Sequence, residues 1–362
     1  MLKKWIAFWI VLVSFGFGAA LQAAEIRVHY DTGWGNRIAI RGQAPGLNWQ
    51  QGVQTSWQEG NVWVLQTPAS WGGFEFKPLF NDQVWSVGAN YRVAHGNDVV
   101  DIYPFFFSNQ GRLVNVTSFY SSTLGNVRGV RVYLPPSYDE NLLKSYPVVY
   151  CHDGQNLFEA ATAFGGREWR LDETSDALVM QGVIQEAIYV GIDNTGASRL
   201  PEYTPTADPN YGGGDGDLYL DFIENEVVPW IENSLRTRAG ANTRFLMGSS
   251  LGGLISFYGS WTRSDVFGSA ACLSSSFWWD NQNLLGEVQQ WNGATPAARF
   301  YVDGGSLESA GQSAADMRDA LVQLGFVEGD NVAYFLDQGA GHNEAAWAAR
   351  LDRPLRFLLA VP

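Results

Sequence analysis

The chain has few of the residues from which metal centres and disulfide frameworks are built. Its 362 residues include two cysteines and four histidines, with no HExxH segment and no paired cysteines. These counts argue against a disulfide-stapled scaffold and against the common zinc sites. We therefore expect neither a metal nor a cofactor. Asp215 and Asp217, in the segment GGGDGD, are interpreted as a loop residue and a helix cap, with weak calcium binding as the alternative.

Basic residues and long apolar runs are also scarce. Lys and Arg number 23 against 37 Asp and Glu, and the formal net charge is −14. This acidity predicts no binding to nucleic acid or to anionic membranes. One long apolar run lies within residues 1–24, after two lysines and before small residues. We interpret it as a signal peptide, which predicts an exported, periplasmic or extracellular protein with no stable membrane insertion of the mature chain. A retained membrane anchor is the alternative.

Residues 25–107, termed here the N-terminal module, predict a small all-β sandwich. Short strand patterns are separated by Gly, Asn and Pro turns, namely IRVHY, RIAIRG, VWVLQT, FEFKPLF, VWSVG and VVDIYPF. Six tryptophans occur in this module, which is more than so small a core needs. The excess predicts exposed aromatic platforms that stack on sugar faces or anchor partners.

Residues 111–362, termed here the C-terminal domain, have a different pattern. PVVYCHDG is a continuous apolar run suited to a buried central strand. Helix and strand patterns then alternate, which predicts a mainly parallel sheet covered by helices on both faces. Pro229 predicts a kink in the helix of residues 218–235, which Asp217 can cap. The segment between module and domain is short and aromatic, so we expect the two to be docked.

The two cysteines, Cys151 and Cys272, are predicted to be free and buried. An exported chain first suggests a disulfide between them. The predicted sheet, however, places them on the third and sixth strands of the domain, with another strand in between. Two strand spacings amount to about 9–10 Å, which is too far for a disulfide.

The most informative motif is RFLMGSSLGG, at residues 244–253. It is a strand pattern, then a G-x-S-x-G turn, then an apolar helical run, which is the context of a nucleophile elbow. Gly248 and Gly252 remove the Cβ atoms that would clash in so tight a turn. Their positions identify Ser250, and not Ser249, as the nucleophile. A purely structural turn is the alternative.

A serine nucleophile needs a histidine base that is oriented by a carboxylate. Of the four histidines, His342 alone follows Ser250, in the Gly-rich turn QGAGHNEAAW. The chain order of α/β hydrolases therefore identifies His342 as the base. The acid is expected in YVDGGSLES, where Glu308 is favoured over Asp303. Asp337, after the next strand, is the least favoured.

An oxyanion hole needs two backbone donors. The first is expected to be the amide of Leu251, directly after the nucleophile. The second is expected in the loop after PVVYC, with Gln155 as first choice and Gly154 as second. His152 is interpreted as shaping this loop through a hydrogen bond, and a direct catalytic role is the minor alternative.

Several residues are predicted to border the active-site cleft. Trp278 and Trp279 follow the strand after the elbow and are candidates for a wall against an aromatic or acyl group, with core packing as the alternative. Arg199, Glu202 and Tyr203, in RLPEYTP, lie in a loop that is expected to reach the same cleft.

The C-terminal domain resembles the esterase family that contains esterase D, enterochelin esterases and bacterial feruloyl esterases. The resemblance rests on ordered motifs, namely RVYLPPSY, YPVVYCHDGQNLF, VGIDN, RLPEYTP, GSSLGGL, SSSFWW, GSLES and AGHNEAAW. It implies an α/β-hydrolase fold with Ser250 as nucleophile and His342 as base. It also implies Glu308 or Asp303 as acid. The second oxyanion donor would come from the 154–155 turn.

The N-terminal module is similar to the starch-binding domains appended to amylases and glucoamylases. The matching stretches are RGQAPGLNWQ, VWVLQT, FEFKPLF and VWSVGANYRV. The resemblance implies that Trp49 and Trp85 stack on sugar, with Lys77 and Asn90 as polar contacts. Ser86 stands where that family usually has Glu. Enterochelin esterases also carry an N-terminal β domain that caps the substrate, so capping is an alternative role for the module.

We therefore expect an exported serine carboxylic-ester hydrolase that acts on acyl or feruloyl-type esters linked to saccharides. The expected partners are the ester substrate and a polysaccharide bound by the module. Three alternatives remain open. They are an acyltransferase on the same triad, an enterochelin-type esterase with a capping domain, and a carbohydrate-binding protein whose hydrolase domain is inactive.

Overall fold

A computed structural model describes residues 24–68, 71–96 and 98–361. Apart from Ala24, the segment interpreted as a signal peptide lies outside the described residues. Within those three ranges, no helix is both long enough and apolar enough to cross a bilayer.

Nine short strands form the N-terminal module. They are β1 (Glu25–His29), β2 (Ile38–Gly42), β3 (Val53–Gln54), β4 (Ser56–Gln58), β5 (Val62–Gln66), β6 (Phe74–Phe80), β7 (Val84–Trp85), β8 (Tyr91–Val93) and β9 (Val99–Ile102). One sheet has the order β4-β5-β1-β9, and the other has the order β3-β2-β6-β7 with β8 also paired to β6. Apolar side chains from both sheets share one buried core, so the module is the predicted β-sandwich.

All six predicted strands of the module are present. The sequence missed β3, β4 and β8, because two or three residues are too few to show an alternating pattern.

The C-terminal domain is built on one large sheet and a small hairpin. Its strands are β10 (Arg112–Ser121), β11 (Asn126–Leu134), β12 (Val148–His152), β13 (Ile188–Ile192), β14 (Ala207–Asp208), β15 (Gly212–Gly213), β16 (Arg244–Ser249), β17 (Ser269–Leu273), β18 (Arg299–Gly305) and β19 (Val332–Asp337). The sheet order is β10-β11-β13-β12-β16-β17-β18-β19, while β14 and β15 pair with each other. The six strands from β13 to β19 in this order are parallel, whereas β10 and β11 are antiparallel.

Helices cover both faces of this sheet. They are α1 (Leu171–Met180), α2 (Arg199–Glu202), α3 (Gly216–Phe222), α4 (Val228–Ser234), α5 (Leu251–Thr262), α6 (Trp279–Gln289), α7 (Ala310–Gln323), α8 (Glu344–Ala349) and α9 (Asp352–Leu359). Alternate residues of β12 enter different cores: Val148 and Tyr150 lie on one face, and Val149 and Cys151 on the other. Burial on both faces explains the continuous apolar run in β12. The predicted α/β architecture is confirmed.

The helical region around Pro229 differs in detail from the prediction. α3 begins at Gly216, so Asp217 lies inside its first turn and does not cap it. A π-helical turn (Ile223–Val227) joins α3 to α4, and Pro229 lies at the start of α4. Since proline lacks an N–H and its ring crowds the preceding turn, the wider π-helical turn just before Pro229 accommodates it.

The two cysteines are free and buried, as predicted. Cys151 lies on β12 and Cys272 on β17, and β16 separates these strands. Burial raises the pKa of both thiols, so both stay protonated and inert at neutral pH.

The N-terminal module contacts the domain at the amino ends of the parallel strands. Glu140, in the connection from β11 to β12, accepts hydrogen bonds from Tyr30 and from three backbone N–H groups of residues 106–108. Asn141 donates to the carbonyls of His29 and Pro104. Because β11 runs antiparallel to β13, its end at Leu134 and the connection that follows lie at the amino edge of the sheet.

Candidate active site

Ser250 lies in the sharp turn between β16 and α5. Its backbone has φ 57° and ψ −123°. Residues other than glycine rarely adopt this backbone conformation, and it persists only when the surrounding structure imposes it. A Cβ on Gly248 would lie 2.6 Å from the carbonyl of Gly252. At Gly248 the turn is therefore as tight as a nucleophile elbow requires. A Cβ on Gly252 would lie 3.2 Å from Cβ of His152, whereas a Cβ on Gly253 would lie 2.2 Å from Oγ of Ser275. Gly253, which sequence reasoning did not single out, is thus more tightly packed than Gly252.

The residues after β17 surround Ser250. The N–H of Ser250 donates to the carbonyl of Leu273 at 2.9 Å, and its carbonyl accepts from the N–H of Ser276 at 3.0 Å. The hydroxyls of Ser250 and Ser276 are 3.3 Å apart. Sequence reasoning did not single out Ser276, although the run of three serines after β17 could have drawn attention to it.

His342 and Glu308 are in direct contact. Nδ1 of His342 hydrogen-bonds Oε2 of Glu308. The other carboxylate oxygen, Oε1, accepts from the hydroxyl of Ser274 and from the N–H of Gly305, each at 2.6 Å. The indole of Trp347 meets the imidazole edge-to-face, with ring centroids 5.1 Å apart. The imidazole is therefore held from two sides, with Nε2 left as its remaining nitrogen.

These contacts keep Glu308 ionised. Burial alone raises the pKa of Glu308, but the hydrogen bonds from His342, Ser274 and Gly305 outweigh it. The net effect is a pKa below the usual range. An ionised carboxylate can accept a hydrogen bond from Nδ1–H of His342 and so fix the tautomer of the ring.

Asp303, the alternative acid, is occupied elsewhere. It is fully buried and forms a two-point ion pair with Arg350, at 2.9 and 3.0 Å. It also accepts hydrogen bonds from the hydroxyl of Tyr301 and the N–H of Ser274. Asp337 faces Arg350 at 3.5 Å. Of the three candidate acids, the structure thus brings Glu308 to the imidazole and directs the other two toward Arg350.

Two backbone donors are available near the elbow. Leu251 begins α5, and Gln155 lies in the short 3₁₀ turn Gly154–Asn156 that follows β12. Neither N–H has an acceptor among the residues that the structure describes. A Cβ on Gly154 would lie 2.4 Å from the carbonyl carbon of Gly191, so this turn packs directly against β13.

A buried ion pair supports the loop that carries Gln155. Asp153 has a left-handed backbone with φ 55°. Its carboxylate binds Arg199 at two points, each 2.8 Å, and accepts from Asn194 at 2.7 Å. The hydroxyl of Tyr203 accepts from the N–H of Asp153 at 3.1 Å. Tyr203 is fully buried, so it supports the loop from behind and does not line the cleft.

His152 lies beneath the same loop. It is fully buried, and its Nδ1 is 3.0 Å from the hydroxyl of Tyr219. Burial lowers the pKa of His152 to about 4, so the ring is neutral near pH 7. Its position at the end of β12 agrees with the expected loop-shaping contact.

The predicted aromatic wall is divided between surface and core. Trp278 is 45% exposed and lies two residues after Ser276. Trp279 is buried, and its indole N–H donates to the carbonyl of Thr206 at 2.8 Å. Glu202 is also buried and pairs with Arg128 at 2.7 and 3.0 Å. Of the residues predicted to border the cleft by their side chains, Trp278 is exposed and Arg199 is partly buried in its ion pair with Asp153.

The two tryptophans predicted as a stacking pair in the module are neighbours. The ring centroids of Trp49 and Trp85 are 6.2 Å apart with an interplanar angle of 38°, and Arg41 stacks over Trp85. A shallow pocket of ≈ 590 Å³ adjoins Trp49 and is lined by residues 42–45 and 47–50. The polar candidates have partners already: Lys77 donates to the carbonyl of Gly88, and the amide of Asn90 donates to Glu75.

Within the described part of the chain, no three His, Cys, Asp or Glu side chains lie close enough to hold a metal ion. Asp217 lies near Arg263 and accepts from the hydroxyl of Tyr258.

Comparisons with known proteins identify the family and support the fold. The family described as "Esterase: Putative esterase" matches residues 121–358, which is more than half of the chain. Among curated proteins, the "Uncharacterized protein YbbA" of Bacillus subtilis (strain 168) is 27% identical over 246 residues. That alignment covers 64% of this chain and 92% of that protein.

Two solved structures share the fold. A ferulic acid esterase aligns with a TM-score of 0.55 at 20% identity, covering 69% of this chain and 98% of its own. The enterobactin esterase FES from Shigella flexneri aligns with a TM-score of 0.54 at 17% identity, covering 89% of this chain and 88% of its own. The second alignment extends into the N-terminal module, since the C-terminal domain alone is too short to account for it.

Proposed function

The chain belongs to the Esterase family and is a carboxylic-ester hydrolase, and we propose that Ser250, His342 and Glu308 are its catalytic triad. The observation that carries this proposal is the contact between Glu308 and Nδ1 of His342. It leaves Nε2 to serve as the base for a serine hydroxyl. The strained turn at Ser250 and the binding of Asp303 to Arg350 support the same assignment.

In the proposed reaction, Ser250 Oγ attacks the ester carbonyl carbon while His342 Nε2 takes the hydroxyl proton. The tetrahedral intermediate collapses, and the alcohol leaves with the proton from His342. Water then attacks the acyl-enzyme, with His342 again as base, and the carboxylic acid is released. Glu308 stays ionised throughout and stabilises the imidazolium.

The amides of Leu251 and Gln155 are proposed to hold the oxyanion. Each lies on a rigid element, the start of α5 and the turn after β12, and neither is satisfied by an acceptor in the described residues. Gly154 is the second choice for this oxyanion donor. Because it has no side chain, the turn can pack closely against β13, and we assign Gly154 that packing role. Preorganised backbone donors of this kind are worth about 2.7–4 kcal/mol each in related chemistry.

For the substrate, we propose acyl or feruloyl-type esters linked to saccharides. Trp278 supports this choice, because it presents an exposed indole two residues from Ser276 and can pack against a flat acyl group. In the module, the Trp49–Trp85 pair and the pocket beside it are suited to a sugar face. We also propose residues 25–107 as a glycan-binding module, residues 111–362 as the catalytic domain, and export of the chain.

An enterobactin-type esterase is the second candidate, because the alignment with FES includes the module. In this chain the module contacts the amino edge of the sheet through Glu140 and Asn141, whereas Ser250 follows the carboxyl end of β16. That arrangement argues against a module that caps the substrate.

The proposed triad is tested by replacing Ser250. With p-nitrophenyl acetate as substrate, Ser250→Ala should lose at least about 10³-fold in kcat. The matched control is Ser249→Ala, which removes the adjacent buried hydroxyl and should stay within a few-fold of the parent. Near-full hydrolysis by Ser250→Ala would overturn the assignment. An ester panel of acetyl, feruloyl, longer acyl and catecholate esters then separates the two substrate classes.

A further inference from the structure

A buried series of polar side chains lies behind the proposed triad. None of these side chains takes part directly in the proposed hydrolysis steps. Asp303 and Arg350 are paired with their side chains 0% and 2% exposed. Nη2 of Arg350 also donates to the hydroxyl of Ser274 at 2.7 Å, and that hydroxyl lies 2.6 Å from Oε1 of Glu308. Because Glu308 contacts His342, an unbroken series of hydrogen bonds runs from Asp303 to the imidazole.

The direction of the central hydrogen bond is fixed by its neighbours. The hydroxyl of Ser274 receives one N–H from Arg350 and another from the indole of Trp347, at 3.0 Å. Guanidinium and indole nitrogens can only donate. Both lone pairs of the hydroxyl oxygen are therefore taken, and its single hydrogen must point at Glu308.

The backbone of Ser274 is strained to make this contact. Its φ of 43° lies in the left-handed region, which costs a non-glycine residue free energy. The N–H of Ser274 is held by Asp303, at 3.0 Å to the carbonyl and 2.9 Å to the carboxylate. Asp303 thus fixes both the backbone of Ser274 and the guanidinium that binds its hydroxyl.

We propose that Ser274, Arg350 and Asp303 form a positioning relay that fixes Glu308 in the orientation that serves His342. The proposal rests on the proposed triad and assigns Asp303 a positioning role in place of the acid's role. Arg350 would supply the N–H that polarises the Ser274 hydroxyl. Asp303 would balance the positive charge of Arg350, so that Glu308 does not bind the guanidinium directly.

The relay predicts a lower titration midpoint of His342 when either of its ends is changed. Without the Ser274 hydroxyl, Glu308 is held less firmly against the imidazole and stabilises the imidazolium less, so the titration midpoint of His342 should fall. With Asp303→Asn, the charge of Arg350 is no longer balanced and opposes the imidazolium, so the pKa of His342 should fall. The charged groups in this argument are Glu308, which contacts His342, and Asp303, Asp337 and Arg350, which bind one another behind Glu308. Glu344, in the first turn of α8, follows His342 by two residues in the chain.

The experiment is a histidine NMR titration of the full chain in a Ser250→Ala background, where turnover plays no part. Ser274→Ala is compared with Ser275→Ala, because Ser275 is a neighbouring buried hydroxyl with no hydrogen-bond partner among the described residues. We expect the His342 midpoint to move to lower pH in Ser274→Ala and to stay unchanged in Ser275→Ala. Equal midpoints in the two variants would overturn the relay.

A second variant keeps the test decisive if Ser274→Ala does not fold. In Asp303→Asn, the His342 midpoint must move to lower pH than in the parent, and an unchanged or raised midpoint overturns the relay. Hydrolysis kinetics of the same variants with Ser250 restored test the proposed triad separately. If Asp303 were itself the acid, Asp303→Asn would abolish turnover, whereas the relay predicts a lower kcat with KM unchanged.

Discussion

The two ends of the parallel strands differ. The carboxyl ends, termed here the reactive edge, carry strained backbone and the proposed catalytic residues, whereas the amino ends, termed here the docking edge, contact the N-terminal module. Ser250 and Ser274 have left-handed backbones at the first edge. At the second edge, Glu140 and Asn141 bind the backbone of the module and its linker. Strands of five or six residues separate these edges by about 17–20 Å. We infer from this separation that ester hydrolysis and docking of the module are independent. A substitution at one edge should leave the function of the other edge unchanged.

The largest expected effect follows from changing the acid. Glu308→Gln keeps the size of the side chain but can no longer hold the correct tautomer and charge of His342, so kcat should fall by on the order of 10³-fold with little change in KM. Steady-state kinetics on p-nitrophenyl acetate measures this. Glu159→Gln, an exposed control at a rim loop, should behave like the parent; equal activity of the two variants would refute the acid assignment.

A second effect concerns acid stability at the reactive edge. The pKa of His152 is about 4 in the folded chain, below the 6.5 of an unfolded one, so the unfolded state binds the proton more readily. Stability is therefore full above pH 6.5 and is lost as pH falls toward 4, by about 2 kcal/mol at pH 5. Urea unfolding of the parent and of His152→Gln at pH 7 and pH 5 tests this. The variant should lose less stability between the two pH values, and equal losses would contradict the prediction.

The docking edge is tested with Glu140→Ala. The variant leaves three backbone N–H groups of residues 106–108 and the hydroxyl of Tyr30 without their acceptor, at a cost of about 1–3 kcal/mol. Hydrogen exchange at those amides should quicken, while kcat on p-nitrophenyl acetate stays unchanged. A large loss of kcat with normal exchange would show that the two edges are coupled.

The smallest effect on catalysis is expected from the module's tryptophans. Trp49→Ala with Trp85→Ala should lower retention on insoluble starch by about tenfold or more and leave small-ester hydrolysis unchanged. Trp57→Ala is the matched control, since Trp57 is 56% exposed on the other sheet of the module. Unchanged retention of the double variant would remove the sugar-stacking role.

The sequence predicts the main features of the fold because they are local. Alternating strands in the module and apolar runs in the domain are visible within ten residues, and so is the glycine-flanked turn at Ser250. Chain order alone singles out His342 among the histidines. For the strands and the turn the structure agrees with the prediction, with errors only in two- and three-residue strands and around Pro229, while the role of His342 stays a prediction.

The acid and the cleft wall depend on contacts that no local pattern contains. Asp303 stands at a strand end and stays an alternative to the favoured Glu308 until Arg350, 47 residues later, is seen to bind it. Tyr203 and Trp279 look like loop aromatics in sequence, yet tertiary packing buries both. The identity of the acid and of the cleft-lining residues depends on which side chains contact each other in the folded chain. A single sequence does not contain that information.

The central claim is that Ser250 is the nucleophile at the reactive edge, and labelling with a fluorophosphonate tests it most directly. The purified chain is treated with the reagent, digested and analysed by mass spectrometry. The account predicts one phosphonyl adduct, on Ser250, with loss of hydrolysis in proportion to labelling and no adduct in Ser250→Ala. Labelling of Ser249 or Ser276 instead, or full activity after Ser250 is labelled, would contradict it.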